Sequence, residues 1–139
     1  MKWEEQIPGS EITESVTEAT VDFAKRFGKH LGVDEKAPDG RKTVRDKLTT
    51  NQLRRFFGEV KRQQMRGYQP TDFILLKPKL AYAVGRSKGK DPKIKDFYKV
   101  IIDAIDKVKT EAHFRNFIKV FEAIVAYHKA SEEGKLDNN

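Results

Sequence analysis

Imidazole is the commonest metal ligand and the natural general base near neutral pH, so His30, His113 and His128 are the first residues to test for chemistry. They lie far apart on separate predicted helices, form no i, i+4 pair, and belong to no His-Glu-x-x-His motif. His128 extends the apolar stripe of its helix and reads as a packed ring. The run Gly85-Arg86-Ser87-Lys88-Gly89-Lys90 is a faint copy of a phosphate loop. Three residues separate its glycines where a phosphate loop has four, and Asp91 stands where Ser or Thr would hold Mg²⁺; it reads as a basic turn. Asp103 and Asp106, near Asp96, are a candidate carboxylate pair for a metal. Lys99 and Lys107 are within ion-pair reach, which makes a solvated acidic face the simpler reading. Ser10, Ser15, Ser87 and Ser131 have no neighbouring base. Cysteine is absent, which excludes a disulfide framework, thiolate metal sites and cysteine nucleophiles. No catalytic residue, metal site or cofactor is expected.

Chemistry of another kind is present. Around Leu53 an amphipathic helix is predicted, with Phe56, Phe57 and Val60 on its apolar face. Projected at about 100° per residue, Arg55, Arg62 and Arg66 line the opposite face, with Arg54 and Lys61 on its flank. Guanidinium groups one or two turns apart can track a phosphate backbone. Glu59 can pair with Arg55 or Arg62 but cannot neutralise the whole face. A second cluster follows: Lys77, Lys79, Arg86, Lys88, Lys90 and Lys93. Tyr82 lies among them, either as a platform for an unpaired base or, the preferred reading, packed at the bundle edge. No motif for reading base edges is present, so sequence-independent phosphate recognition is expected.

The elements that must hold these groups come next. The chain has 139 residues and a formal net charge of +7, a length suited to one domain with a real core. Residues 41–95 carry 16 basic and 4 acidic side chains, a net +12, between acidic flanks, the electrostatic footprint of a polyanion partner. The N-terminus lacks the apolar segment of a signal peptide, no apolar run approaches a bilayer span, and no membrane partner is expected; a cytoplasmic location is the default for a cysteine-free chain.

The predicted architecture is an all-α bundle of about five helices in a single domain. Residues 1–9 are expected to fray. A first helix over 10–31 carries Val16, Ala19, Phe23, Phe27 and Leu31. Residues 32–48, with Arg41, Lys42, Arg45 and Lys47, read as a basic linker, and 49–131 as the main bundle. Thr49 and Gln52 form a capping box, and Gly67 stops the helix. A break is expected at Lys77-Pro78, with a short helix from Pro78 to Val84. A fourth helix opens at Asp91-Pro92 and a fifth at Thr110. The fifth has so wide an apolar face, from Phe114 through Phe121 to Val125, that it must lie centrally. The tail from 132 to 139 is expected to be disordered.

Three segments together resemble a known family. They are Thr49-Thr50-Asn51-Gln52-Leu53-Arg54-Arg55-Phe56, Leu76-Lys77-Pro78-Lys79-Leu80-Ala81-Tyr82-Ala83-Val84-Gly85-Arg86, and Phe121-Glu122-Ala123-Ile124-Val125-Ala126-Tyr127-His128-Lys129. In this order and spacing they resemble the small helical subunit of type III-A CRISPR effector complexes, the Csm complex, over about residues 48–130. The resemblance implies a non-catalytic helical bundle, stacked in several copies where guide RNA pairs with target RNA in antiviral defence. It implies guide RNA, target RNA and the other Csm subunits as partners. Arg54, Arg55, Lys79 and Arg86 lie inside the matching segments and are the best RNA-binding candidates. Lys77 also lies inside a matching segment; Lys61, Arg62, Arg66 and Lys88 rest on charge and spacing. Two further readings stand beside this one: a helical nucleic-acid-binding protein outside CRISPR, and an adaptor whose basic face meets an acidic protein. The 17-residue linker can extend to roughly 55 Å, so the acidic first helix can reach a second copy, and a dimer of the isolated chain is a further expectation.

Overall fold

Capping chemistry decides where the helices begin. The computed structural model describes Trp3, Gln6 and residues 10–36, 43, 44, 47–86 and 92–132. Among these it places α1 (Ser10–Thr13), α2 (Glu18–Gly32), β1 (Glu35–Lys36), β2 (Thr43–Val44), α3 (Thr50–Arg66), α4 (Pro70–Ile74), α5 (Leu76–Arg86), α6 (Pro92–Asp106) and α7 (Glu111–Glu132). The fold is the expected all-α bundle.

The single helix expected over 10–31 is broken in two. The Thr17 amide donates to Thr20 Oγ1 at 2.9 Å, and its carbonyl accepts from the Thr20 and Val21 amides at 3.0 and 3.2 Å. Short hydroxyl side chains compete in this way with an uninterrupted helix, and α2 starts afresh. The break lets α1 lie against α7, where Asn116 Nδ2 donates to the Ile12 and Glu14 carbonyls at 2.9 and 3.1 Å. Ala19, expected in the core stripe, is exposed, and Thr20 is buried instead. Of residues 1–9, Trp3 packs at a tilt against Phe27 and stacks on His30, with ring centroids 5.0 and 4.9 Å away. Within the expected linker, β1 and β2 pair antiparallel, Glu35 opposite Val44 and Lys36 opposite Thr43. Arg41, Lys42 and Arg45 lie outside the described residues.

The capping box of α3 is present: Gln52 N donates to Thr49 Oγ1 at 3.2 Å and Thr49 N to Gln52 Oε1 at 2.7 Å. Gly67 ends the helix at φ 89°, a conformation that favours glycine. The next break falls at Leu75 rather than at Lys77-Pro78. Pro78 is the third residue of α5, and an amide in the first turn has no intrahelical acceptor to lose. At α7, His113 N donates to Thr110 Oγ1 at 3.1 Å while Lys109 N donates to His113 Nδ1 at 3.0 Å. Thr110 thus caps as expected, and His113 is the other half of the cap.

Helix α7 is central, with α1, α2, α3 and α6 against it. Phe121, fully buried, has the rings of Phe56, Phe117, Phe57 and Phe97 at 5.5, 5.9, 6.0 and 6.1 Å. The longest contact is with α2, where Ala24, Gly28 and Gly32 recur every fourth residue. A Cβ on Gly28 would lie 2.7 Å from both His128 N and Tyr127 Cβ; one on Gly32 would lie 2.7 Å from His128 O. The two helices approach backbone to backbone. His128 is buried and its Nε2 meets the Leu48 carbonyl, while Leu48 N donates to Leu31 O at 2.7 Å. Glu132, placed in the tail by sequence, is instead the last residue of α7; its carboxylate accepts from Thr50 N at 3.0 Å and from the Thr50 hydroxyl. Residues 133–139 lie outside the described residues.

Candidate nucleic-acid interface

The capping box fixes the start of α3, and with it the face that α3 turns toward α5. Gln52, Arg55, Phe56 and Glu59 recur at helical spacing on that face; Lys79, Tyr82, Ala83 and Arg86 do the same on α5. Between them runs an open groove of about 840 Å³, with Asn51, Pro78 and Ile94 completing its lining. Phe56 and Ile94 are buried and supply an apolar floor. Arg55, Lys79 and Arg86 face one carboxylate, Glu59.

Glu59 bridges the two helices. Its Oε1 accepts from Lys79 Nζ at 2.7 Å and its Oε2 from Arg62 Nη1 at 2.7 Å. The Lys79 hydrogen bond, with further help from Gln63 and Arg62, holds its carboxyl below the ordinary carboxylate range despite partial burial. The effect is to fix Lys79 at the groove edge rather than to remove it. The cations themselves stay exposed, Lys79 by 52% and Arg62 by 65% of the side chain, so a phosphate can reach them.

The other candidates are dispersed. Arg54 and Arg55 are exposed, and no ion pair joins either to another described residue. Lys61 reaches away to Glu122 on α7 at 3.0 Å, and Arg66 to Asp72 on α4 at 3.0 Å. Lys77 turns to Asp106 on α6. The arginine face drawn from periodicity is therefore split: its N-terminal member opens on the groove, and its C-terminal members are tied to neighbouring carboxylates. Lys88 and Lys90 lie outside the described residues. Lys93 leaves the cluster altogether, buried with its Nζ on the Val33 carbonyl. Tyr82 is not packed at the bundle edge: it is 58% exposed, with the Arg86 guanidinium 5.7 Å from its ring centroid. The apolar run Leu76, Leu80 on one face of α5 leaves no room for it in the core, a signal legible in the spacing.

The carboxylates of α6 each have a side-chain partner: Asp96 the His30 ring at 2.8 Å, Asp103 Lys107, and Asp106 Lys77. Among the described residues no group of three or more acidic or histidine side chains is placed to hold a metal. A smaller cleft of about 360 Å³ between the end of α3 and α7 balances Glu111 and Glu122 against Arg115 and Lys119. It lacks the charge excess of the α3–α5 groove. No described helix is long and apolar enough to cross a membrane.

The described residues form a small all-α bundle with a cation-rich groove between α3 and α5. The family comparison makes this specific: the chain matches the Csm2 Type III-A family over residues 14–134 and belongs to that family. It is a small subunit of type III-A CRISPR Csm complexes. The match begins well before residue 48, so α2 and the β1–β2 segment are part of the family's chain as well. No match was found among curated proteins or among solved structures.

Proposed function

We propose that the chain is a non-catalytic, RNA-binding subunit that lines the guide RNA–target RNA groove of its complex through sequence-independent phosphate contacts, in antiviral defence in the cytoplasm. The observation that carries this reading is the α3–α5 groove, where Arg55, Lys79 and Arg86 outnumber Glu59. These side chains come from two helices, so they offer cations along a line rather than at a point, as a backbone requires. Guide and target RNA, and the neighbouring Csm subunits, are the partners.

The test is RNA binding by the full chain across a salt series. Arg55→Gln, Lys79→Gln and Arg86→Gln together are expected to flatten the log–log salt slope by about 2, at roughly 0.7 per lost contact for single strands. The control, Arg115→Gln with Lys119→Gln at the balanced cleft, is expected to leave it unchanged. An unaltered slope in the triple variant removes the groove from the proposal. RNA recovered intact from long incubations is the expected result for a non-catalytic subunit. Self-association through exchange of α2 belongs to the same proposal, because residues 33–49 connect it to α3. Light scattering that gives a monomeric mass across a hundredfold range of concentration would remove it.

A further inference from the structure

Phosphate binding needs cations and leaves Tyr82 unexplained. A tyrosine ring normally contributes by burying its large apolar surface, yet this one stands 58% exposed beside the cations it is paired with. Its position is set by the helix: Lys79, Tyr82 and Arg86 follow one another at three and four residues along α5. The groove wall below it is apolar, from Phe56 and Ile94, and the exposed Asn51 amide at the opposite rim can both donate and accept. An aromatic face, a guanidinium over it at 5.7 Å, an apolar floor and flanking cations are the parts of a nucleotide site rather than of a backbone track. Its volume, about 840 Å³, is in the range of roughly 300–1,000 Å³ typical of small-ligand clefts.

We propose that the α3–α5 groove receives one unpaired nucleotide of the bound RNA, its base stacked on Tyr82 and Arg86 and its phosphates met by Arg55 and Lys79. This rests on the RNA-binding reading above and narrows it. In a continuous duplex both faces of every base are covered by neighbouring pairs, so the tyrosine ring has nothing to stack on. An unpaired or extruded base offers a free face, and aromatic rings and guanidinium planes are the surfaces on which such bases settle. The site is tolerant of base identity because every base has a π-face. The groove thus discriminates by pairing state, not by sequence.

The experiment compares three RNAs of equal length with the full chain: a single strand, a blunt duplex, and a duplex carrying a one-nucleotide bulge of 2-aminopurine. Wild type is expected to bind the single strand and the bulged duplex more tightly than the blunt duplex, and to change the fluorescence of the bulged base. Tyr82→Ala is expected to weaken the first two by about 5- to 150-fold, the equivalent of roughly 1–3 kcal/mol per stacked base, and to leave the blunt duplex unchanged. Tyr82→Phe is expected to retain most of the affinity, because the ring and not the hydroxyl does the stacking. Since Tyr82 is exposed, unchanged circular dichroism is expected for both variants. Equal effects of Tyr82→Ala on all three RNAs, or none, would overturn the base site. If the charge variants Arg55→Gln and Lys79→Gln weaken all three RNAs while Tyr82→Ala weakens none, the phosphate reading stands and only the base assignment falls. If the charge variants also change nothing, both fall. Free AMP that competes as well as the single strand, with the same dependence on Tyr82, would make this a free-nucleotide site and overturn the assignment to a strand.

Discussion

The α2–α7 crossing and the α3–α5 groove are built from the same kind of element by opposite means. At the crossing, Ala24, Gly28 and Gly32 remove side chains so that backbones touch. At the groove, long cationic and aromatic side chains stand off the helices and hold a space open. The contrast extends to two glutamates. Glu11, on α1 against α7, is 2% exposed, its Oε2 has no hydrogen-bond partner among the described residues, and burial pushes its carboxyl up against an opposing Thr20 hydrogen bond. Glu59, in the groove, is pulled the other way by Lys79. Close packing makes a charge costly, whereas an open cationic wall makes it welcome. The difference teaches where stability and binding can be altered separately.

The sharpest way to break the comparison is to disrupt the tight side. Phe121→Ala removes a fully buried ring with four aromatic neighbours. The expected loss is about 3–5 kcal/mol in chemical denaturation. A loss below about 1 kcal/mol would mean that α7 is not the centre of the bundle.

Gly28→Ala comes next. Its methyl group would stand 2.7 Å from His128 N, a backbone atom that cannot step aside without moving the helix. Overpacking of this kind costs about 1–3 kcal/mol, set against up to about 1 kcal/mol gained from alanine's helix propensity. A net loss near 1–2 kcal/mol is expected. The matched change Gly58→Ala, on α3 where the added group meets nothing, is expected to be neutral or stabilising. Equal effects at the two glycines would show that the close approach is not what selects glycine at position 28.

These two substitutions also mark what could be read from the sequence. Phe121 and the width of the α7 stripe were legible because apolar residues at helical spacing have one physical outcome, burial. The capping box at Thr49 and the cap at Thr110 were legible for the same reason: each is satisfied within four residues of chain. The break after α1 was not, although Thr17 and Thr20 make it locally, because the apolar periodicity runs on across it; the docking of α1 that follows rests on Asn116, more than a hundred residues away, which donates to the Ile12 and Glu14 carbonyls. The Ala24-Gly28-Gly32 stripe shows its purpose only once α7 lies on it. The candidate site divides along the same line. Arg55, Lys79 and Arg86 were found from charge and family resemblance, while the pairing of Arg62, Arg66 and Lys61 depends on carboxylates brought in by the fold.

Glu11→Gln is expected to act in the opposite direction from the two core changes. The folded carboxyl titrates above its unfolded counterpart, so the folded state binds the extra proton. Its favourable contribution is complete below about pH 4–5, the range in which a free glutamate titrates, and is lost as pH rises through the raised folded value. Glutamine cannot ionise and escapes that loss. The variant should therefore match wild type in acid and show a modestly higher Tm at pH 7. For Glu59 the sign reverses: its contribution is present above the free glutamate range and lost as pH falls through its lowered folded value. A Glu11→Gln variant less stable than wild type at pH 7 would mean that the carboxylate is satisfied where it lies.

The smallest expected effect is the most telling for the comparison. Arg55→Gln is a change on an exposed side chain that makes no ion pair with another described residue, and its groove is open on one side. Surface substitutions of this kind stay within about ±0.5 kcal/mol, so its denaturation midpoint should coincide with that of wild type. Among the described residues, Arg86→Gln gives up its contact with the exposed Tyr82 ring, worth about 0.5–1 kcal/mol at such sites. Both variants should nevertheless lose RNA affinity with a shallower salt dependence, because each removes a cation that releases a condensed counterion on binding. Stability and binding measured on one preparation then separate the two regions directly. A groove variant that melted well below wild type would place Arg55 or Arg86 among the residues that hold the bundle together. The groove would then be a part of the scaffold, and its openness a consequence of packing rather than a provision for a ligand.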